Sequence, residues 1–116
     1  MMVQTKEFML LFRFEPSNDY QPTAAEMAES HQQWGAFIGK LAMEERFVST
    51  HQLGFEGKRV FADNSVHEGI NRAENQTLGG NMIVKAHSLD QAVEMAKMCP
   101  ILSMGGTVEV RNITPM

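Results

Sequence analysis

Residues 8–14 read FMLLFRF, and this short segment indicates the architecture of the whole chain. A β-strand points successive side chains to opposite faces of its sheet. One face of this strand would carry Phe8, Leu10, Phe12 and Phe14, and the other would carry Met9, Leu11 and Arg13. One face is strongly apolar and the other ends in a charge, so the pattern predicts a sheet that helices cover on one side only.

Two helices are predicted by capping boxes, in which a Ser or Thr precedes a Glu or Gln by three residues. Thr23 and Glu26 begin the first helix, after a loop predicted at Glu15–Gln21. The helix should run to about Glu45, with an apolar stripe formed by Met27, His31, Trp34, Ile38 and Leu41 and widened by Phe37. Ser88 and Gln91 begin the second helix, which Pro100 ends.

The remaining segments predict an antiparallel sheet. Residues 47–53 and 58–63 form two strands joined through Gly54–Gly57 as a hairpin, and a long polar loop follows at Asn64–Thr77. Further strands begin at Met82 and at Thr107. With one hairpin strand counted as an insertion, the order is the split βαβ pattern of the α+β class. We therefore expect a ferredoxin-like antiparallel sheet with two helices on one face.

The uncovered face of such a sheet predicts self-association. Met9, Leu11 and Ile83 would point away from the helices into water. A second copy of the chain is the simplest cover for an apolar sheet face. The sequence thus predicts a homodimer.

Composition narrows the class of protein. The chain has 116 residues, which fits a single domain spanning residues 1–116. Its net charge is −4 and it has no basic stripe, so nucleic acid is not an expected partner. The N-terminus lacks an apolar signal core, and no run is long enough to span a bilayer, so no membrane contact is expected. The only cysteine, Cys99, precludes an internal disulfide and fits a reducing compartment, so a cytoplasmic location is expected.

Several segments resemble the YCII-related proteins, and most of all the branch named for its DGPF motif. They are residues 7–12, the helical run 34–38, residues 78–80, the run 92–100 and the closing segment GGTVEVR at 105–111. The resemblance covers Glu7 to Arg111 and implies a dimeric α+β barrel, in which two ferredoxin-like sheets face each other around a cleft. Some YCII relatives carry a His-Asp pair and act on small aromatic compounds, and others accompany sigma factors.

The chain departs from the family where the family's chemistry is expected. The DGPF motif corresponds to Glu68-Gly69-Ile70-Asn71, in which only the glycine is kept. The helix position at which active relatives carry a catalytic histidine corresponds to about Trp34, with His31 one turn earlier. The resemblance therefore implies the fold more securely than it implies a reaction.

Candidate ligand-binding residues lie on the uncovered face. Arg13, Glu109 and Arg111 should project from it if the first and last strands are neighbours. Two guanidinium groups could grip a carboxylate or phenolate, with Glu109 holding one of them in place. The alternative is a structural ion-pair cluster at the dimer seam. His51 is a further candidate, expected by alternation on the same side as Phe47.

Four further candidates lie elsewhere. Trp34, at the position of the family's catalytic histidine, is a candidate ligand-binding residue. His31 interrupts the apolar stripe of the first helix, and an imidazole there could act as a general acid or base near neutral pH. The alternative is a half-buried histidine at a helix edge. His67 and Glu68 lie in the predicted polar loop, where they could close over a ligand or be solvated.

Other chemistries are not expected. The histidines show no metal-ligand spacing, no glycine-rich loop precedes a helix, and no nucleophile motif is present, so neither a metal nor a cofactor is predicted. Cys99 is expected to pack in the core, with its pKa raised by a helix C-terminus. The sequence predicts a homodimeric domain that binds a small anionic or aromatic molecule, with acid/base catalysis by His31 if it is an enzyme. The alternative is a non-catalytic regulatory or protein-interaction module.

Overall fold

The computed structural model describes residues 5–16 and 23–116. The predicted loop at Glu15–Gln21 therefore lies mostly outside the described residues. The strands are β1 (Lys6–Phe14), β2 (Phe47–Gln52), β3 (Lys58–Val60), β4 (Val66–Glu68), β5 (Thr77–Ala86) and β6 (Thr107–Asn112). The helices are α1 (Ala24–Met43), α2 (Leu89–Ala96) and a short 3-10 helix at Pro100–Met104.

Four strands form the main sheet in the order β2-β5-β1-β6, and every pairing in it is antiparallel. Both helices pack on one face, so the predicted α+β, ferredoxin-like arrangement is confirmed. The sheet is open in this single chain and does not close into a barrel.

The core lies between this sheet and the two helices. Its centre is formed by Leu10 of β1 with Met82 and Val84 of β5, all fully buried. Phe37 and Leu41 of α1 cover one part of the sheet, and α2 covers the other part with Ala92, Met95 and Ala96. The alternation predicted for β1 is confirmed for Phe8, Leu10 and Phe12, which are buried, and for Met9 and Leu11, which are only half-buried.

The predicted helix starts have their expected local cause. The Thr23 hydroxyl accepts from the Glu26 N–H at 3.1 Å, and the Glu26 carboxylate accepts from the Thr23 N–H at 3.1 Å. At α2, Ser88 Oγ accepts from the Gln91 N–H at 3.1 Å, while the Gln91 amide oxygen accepts from the N–H of His87. The bonds accepted by Thr23 and Ser88 satisfy first-turn donors that the helix itself leaves free.

The predicted hairpin between residues 47–53 and 58–63 is wrong. β2 pairs with β5, whereas β3 pairs with β4 in a separate two-stranded sheet, with Val60 opposite Val66. The turn at residues 61–65 explains this choice, because Asp63 Oδ1 accepts from both the hydroxyl and the N–H of Ser65. The hydroxyl bond is the larger cause, and together they lower the pKa of Asp63. Part of the predicted polar loop is therefore strand, and β5 begins at Thr77, before the predicted start at Met82.

Two bulges interrupt the main sheet. β2 carries one extra residue, Val48, between Phe47 and Ser49, and β5 carries Gly79 as an extra residue opposite the step from Phe12 to Arg13. An extra residue reverses the side to which the following residues point. His51 and Phe47 therefore do not share a face, contrary to the simple alternation expected for β2.

Cys99 is buried in the core as predicted, with 3% of its surface exposed. Burial raises the pKa of its thiol to about 11. The expected cause, the C-terminal end of α2, is not the dominant one, since α2 ends at Ala96 and the desolvation of the thiolate is the main effect.

Among the residues that the structure describes, no helix is long and apolar enough to cross a lipid bilayer.

Candidate functional site

The candidate site is the face of the main sheet that the helices leave uncovered, here called the open face. Strand register defines its members, because directly paired residues point to the same side. They lie in four cross-strand rows: Glu7 and Lys85; Met9, Ser49, Ile83 and Arg111; Leu11, His51, Asn81 and Glu109; and Arg13, Leu78 and Thr107.

His51 and Asn81 form a polar pair at the β2 side of this face. Nδ1 of His51 lies 3.3 Å from Oδ1 of Asn81 on the neighbouring strand. The Val48 bulge is what brings His51 to this side of the sheet. The imidazole is exposed, so its other ring nitrogen is available to a ligand.

Glu109 and Arg111 form an ion pair at the β6 side. Arg111 Nη1 lies 3.1 Å from Glu109 Oε2, and both side chains are substantially exposed. These residues are two apart on one strand, so they point to the same face as predicted. An exposed pair of this kind contributes little to stability, about 1 kcal/mol at most.

Arg13 differs from this pair because its charge has no partner within residues 5–16 and 23–116. It lies on β1 opposite Thr107 of β6 and Leu78 of β5, and it is half-buried. Its side chain has neither a hydrogen bond nor an ion pair to any residue that the structure describes. A guanidinium without an acceptor is available for a charge-assisted hydrogen bond to an anion.

His31 and Trp34 lie on α1, on the other side of the sheet from Arg13 and Arg111. Trp34 packs edge-on against Phe12, with ring centroids 5.3 Å apart, and also contacts Phe37 at 6.1 Å. His31 is exposed on the helix surface. Within one chain, therefore, the structure does not bring His31 together with the arginines of the open face.

His67 and Glu68 lie on β4 of the small sheet, not in an irregular loop. Glu68 Oε1 makes an exposed ion pair with Lys58 Nζ at 3.2 Å, and the His67 ring contacts the Phe61 ring at 4.4 Å. Gly69 follows with φ +90°, a conformation that glycine adopts without a steric penalty. That requirement explains why glycine stands at this position of the altered motif.

A groove of ≈ 220 Å³ lies on the helical side, between the C-terminal half of α1 and α2. It is bounded by the buried Phe37 and Met95 and by the exposed Lys40 and Glu94, and it contains none of the predicted site residues. Within residues 5–16 and 23–116, no group of three or more His, Cys, Asp or Glu side chains is arranged to hold a metal ion.

The sequence analysis missed Asn81. Asn81 stands between Gly79-Gly80 and the apolar run Met82-Ile83-Val84, so its signal was a polar residue at the start of an apolar strand segment. The structure places it at an open-face position of a central strand. An amide side chain is unusual in a strand segment that is otherwise apolar. Asn81 could therefore have been singled out as a candidate functional residue from the sequence.

Comparison with known protein families identifies the family to which the chain is similar. The family model described as YCII-related domain matches residues 2–116, nearly the full length of the chain. A search of functionally curated proteins found no significant match.

Proposed function

This chain belongs to the YCII-related family, and from that premise we propose that it binds a small anionic or aromatic molecule on its open face as a homodimer. The observation that carries the proposal is Arg13, a half-buried residue whose guanidinium lacks an acceptor among the described residues. A planar carboxylate or a phenolate would supply that acceptor.

The neighbouring residues support an anion of limited size. Leu11 lies between Asn81 and Glu109 in one cross-strand row, so the middle of the open face is apolar and its two sides are polar. If the aromatic ring of a ligand packed on Leu11, the carboxylate or phenolate of that ligand would lie near Arg13, two residues further along β1. Arg111 is already paired with Glu109, which leaves Arg13 as the principal anchor.

Dimerisation is part of the same proposal, because a small ligand on a flat sheet is poorly enclosed. Ligand sites typically enclose most of their ligand. A second open face placed opposite the first would turn the surface into a cleft. Light scattering at micromolar concentration should give twice the chain mass, and a monomeric mass would overturn this part of the proposal.

If the site is catalytic, His51 is better placed than His31 to act with Arg13, because His51 and Arg13 share the open face. The alternative function is a non-catalytic regulatory or protein-interaction module. It is favoured by the partner of His51, since the neutral amide of Asn81 does not strengthen an imidazole base as a carboxylate would.

Ligand binding is tested by thermal denaturation with benzoate, phenol and inorganic phosphate. A compound present at about one hundred times its dissociation constant stabilises the folded chain by about 2.7 kcal/mol. We expect benzoate or phenol at alkaline pH to raise the melting temperature of the native chain and of the control Arg72→Gln. Arg72 is an exposed arginine outside the open face. The effect should be lost in Arg13→Gln, and an equal shift in both variants would contradict the proposal.

A further inference from the structure

The small sheet formed by β3 and β4 has two faces with different chemistry. On one face, Lys58 and Glu68 form an exposed ion pair, with 3.2 Å between Nζ and Oε1. The other face carries Arg59 directly opposite His67. Phe61 lies two residues beyond Arg59, still within the paired backbone, and therefore points to the same side. This second face, defined by Arg59, Phe61 and His67, is here called the arginine face.

The ring of Phe61 contacts both basic side chains of the arginine face. The guanidinium carbon of Arg59 is 5.9 Å from the centre of this ring, and the centroid of the His67 ring is 4.4 Å from it. An aromatic ring attracts a cation that lies within about 6 Å of its centre. The Phe61 ring therefore holds the guanidinium and the imidazole on the same part of the face before any ligand arrives.

Arg59 has hydrogen-bonding capacity that the chain does not use. Its Nε atom is the only buried side-chain nitrogen or oxygen without a hydrogen-bond partner in residues 5–16 and 23–116. Its guanidinium also forms no ion pair with any residue in those ranges. The positive charge is delocalised over three nitrogens, so an anion bound at the two terminal nitrogens compensates for the solvation that Nε has lost.

The pairing of Arg59 with His67 favours a negative charge on this face. Directly paired side chains have Cβ atoms about 5 Å apart, and like charges placed there destabilise a sheet. The carboxylates that are near in the chain are already engaged. Glu68 is paired on the opposite face, and Asp63 in the turn accepts two hydrogen bonds from Ser65. Among the described helices and strands, β3 and β4 make extensive contact only with each other, so no other such element compensates the charge.

The arrangement of the donors favours a tetrahedral oxyanion over a carboxylate. A guanidinium presents two parallel N–H groups, which match two oxygens of one anion. A carboxylate then has no third oxygen for an imidazole that approaches from the neighbouring strand, whereas a phosphate group carries three acceptor oxygens. Its charge of nearly −2 also matches one arginine and one protonated histidine.

We propose that the arginine face binds the phosphate group of a small phosphate monoester, held by Arg59 and His67 beside the Phe61 ring. Because His67 is exposed, the fourth oxygen of the phosphate, which carries the ester group, can point into solvent. The site lies on the small sheet, apart from the open face of the main sheet, where Arg13 is the proposed anchor. It is therefore a second binding site and does not depend on the proposed dimer.

The test is an NMR titration of the full chain, followed through the backbone amides of residues 57–69 and the Nε–H group of Arg59. Sodium chloride is exchanged for the anion at constant ionic strength, because a change of salt alone alters interactions between exposed charges. Inorganic phosphate and glycerol phosphate should give saturable shifts with similar affinity. Sulfate, which remains a dianion, should bind more tightly at about pH 5 than at about pH 8, because imidazoles gain a proton over this range.

Two adjacent residues provide a matched control. Arg59→Gln and Lys58→Gln each remove one cation from β3, but on opposite faces of the small sheet. Arg59→Gln should weaken sulfate binding about tenfold or more, because a pair of charge-assisted hydrogen bonds is lost. Lys58→Gln should leave the affinity nearly unchanged. His67→Gln should remove the dependence of sulfate binding on pH.

A milder variant separates loss of the guanidinium from loss of the hairpin. Arg59→Lys keeps the charge and most of the side-chain stem, but it lacks the two parallel donors. Sulfate binding should weaken severalfold, while the backbone shifts of β3 and β4 show that the strands remain paired. Native affinity in Arg59→Lys would overturn the role given to the guanidinium.

The remaining outcomes also decide the proposal. Native shifts that do not saturate, or equal weakening by Arg59→Gln and Lys58→Gln, would overturn the site, since both results indicate general attraction between charges. Much tighter binding of inorganic phosphate than of glycerol phosphate would overturn the monoester and assign free phosphate instead. Arg13→Gln should leave the shifts of the small sheet unchanged and remove the response to benzoate, so failure of either site is seen separately.

Discussion

His51 Nδ1 lies 3.3 Å from Asn81 Oδ1, across the pairing of β2 with β5. Because an amide oxygen accepts hydrogen bonds, the neutral imidazole should carry its proton on Nδ1 and leave Nε2 as a free acceptor. Histidine in solution favours the other tautomer, so the arrangement is measurable. Long-range nitrogen–proton NMR spectra at pH 8 should show one histidine protonated on Nδ1.

Asn81→Ala provides the control for that spectrum, because it removes the acceptor and leaves His51 in place. The Nδ1-protonated signal should disappear from the variant. If the native chain shows only histidines protonated on Nε2, the amide of Asn81 has the opposite orientation and donates to the ring.

Leu10 and Leu11 test the assignment of faces on β1. Leu10 is 0% exposed, so Leu10→Ala should lower the free energy of unfolding by about 2–5 kcal/mol. Leu11 lies on the open face, and Leu11→Ala should cost about 1 kcal/mol or less under conditions where the chain is monomeric. Urea denaturation measures both, and similar losses would contradict the one-sided core.

Gly80 and Gly39 form a second matched pair. A Cβ atom at Gly80 would lie 2.6 Å from the backbone oxygen of His51, so Gly80→Ala should distort the β2–β5 pairing and destabilise the fold. At Gly39, within α1, a Cβ atom would meet nothing within 4 Å. Gly39→Ala should therefore stabilise the chain by about 0.5–1 kcal/mol through helix propensity. Thermal denaturation should shift the two melting temperatures in opposite directions.

Cys99 should react slowly with thiol reagents in the folded chain. Burial raises the pKa of its thiol to about 11, so the reactive thiolate is scarce at pH 8. A disulfide reagent such as Ellman's should label the native chain far more slowly than the urea-unfolded chain. Rapid labelling of the native chain would show that the thiol is accessible.

The same pKa predicts how stability depends on pH. An unfolded thiol has a pKa near 9.0, so between that value and about 11 the unfolded chain loses the proton that the folded chain keeps. The free energy of unfolding should therefore fall as the pH rises through this range. Cys99→Ala removes the titrating group, and its stability should fall less steeply there.

The features predicted correctly from the sequence are those with local causes. The capping box at Thr23, the alternation of β1 and the two faces of β6 depend on residues that are close together in the chain. The placement of Arg13, Glu109 and Arg111 on one face follows from that alternation once β1 and β6 are paired.

The features predicted wrongly depend on partners that are distant in the chain. β2 has β5 as its partner, about thirty residues later, and no property of Gly54–Gly57 reveals that choice. The three-residue strand β4 is too short to show a period, and its position depends on the turn that Asp63 and Ser65 stabilise. The pairing of His51 with Asn81 requires both the distant partner and the bulge, so alternation alone could not predict it.

The bulge at Val48 decides which side chains of β2 reach the open face. If β2 kept all its residues and lost the bulge, Val48 would pair with Ile83, Thr50 would stand beside Asn81, and His51 would turn to the helix-covered side. A change in strand pairing alone, with no change in composition, would thus exchange a whole row of side chains on the open face. Point substitutions would need several steps to reach the same surface.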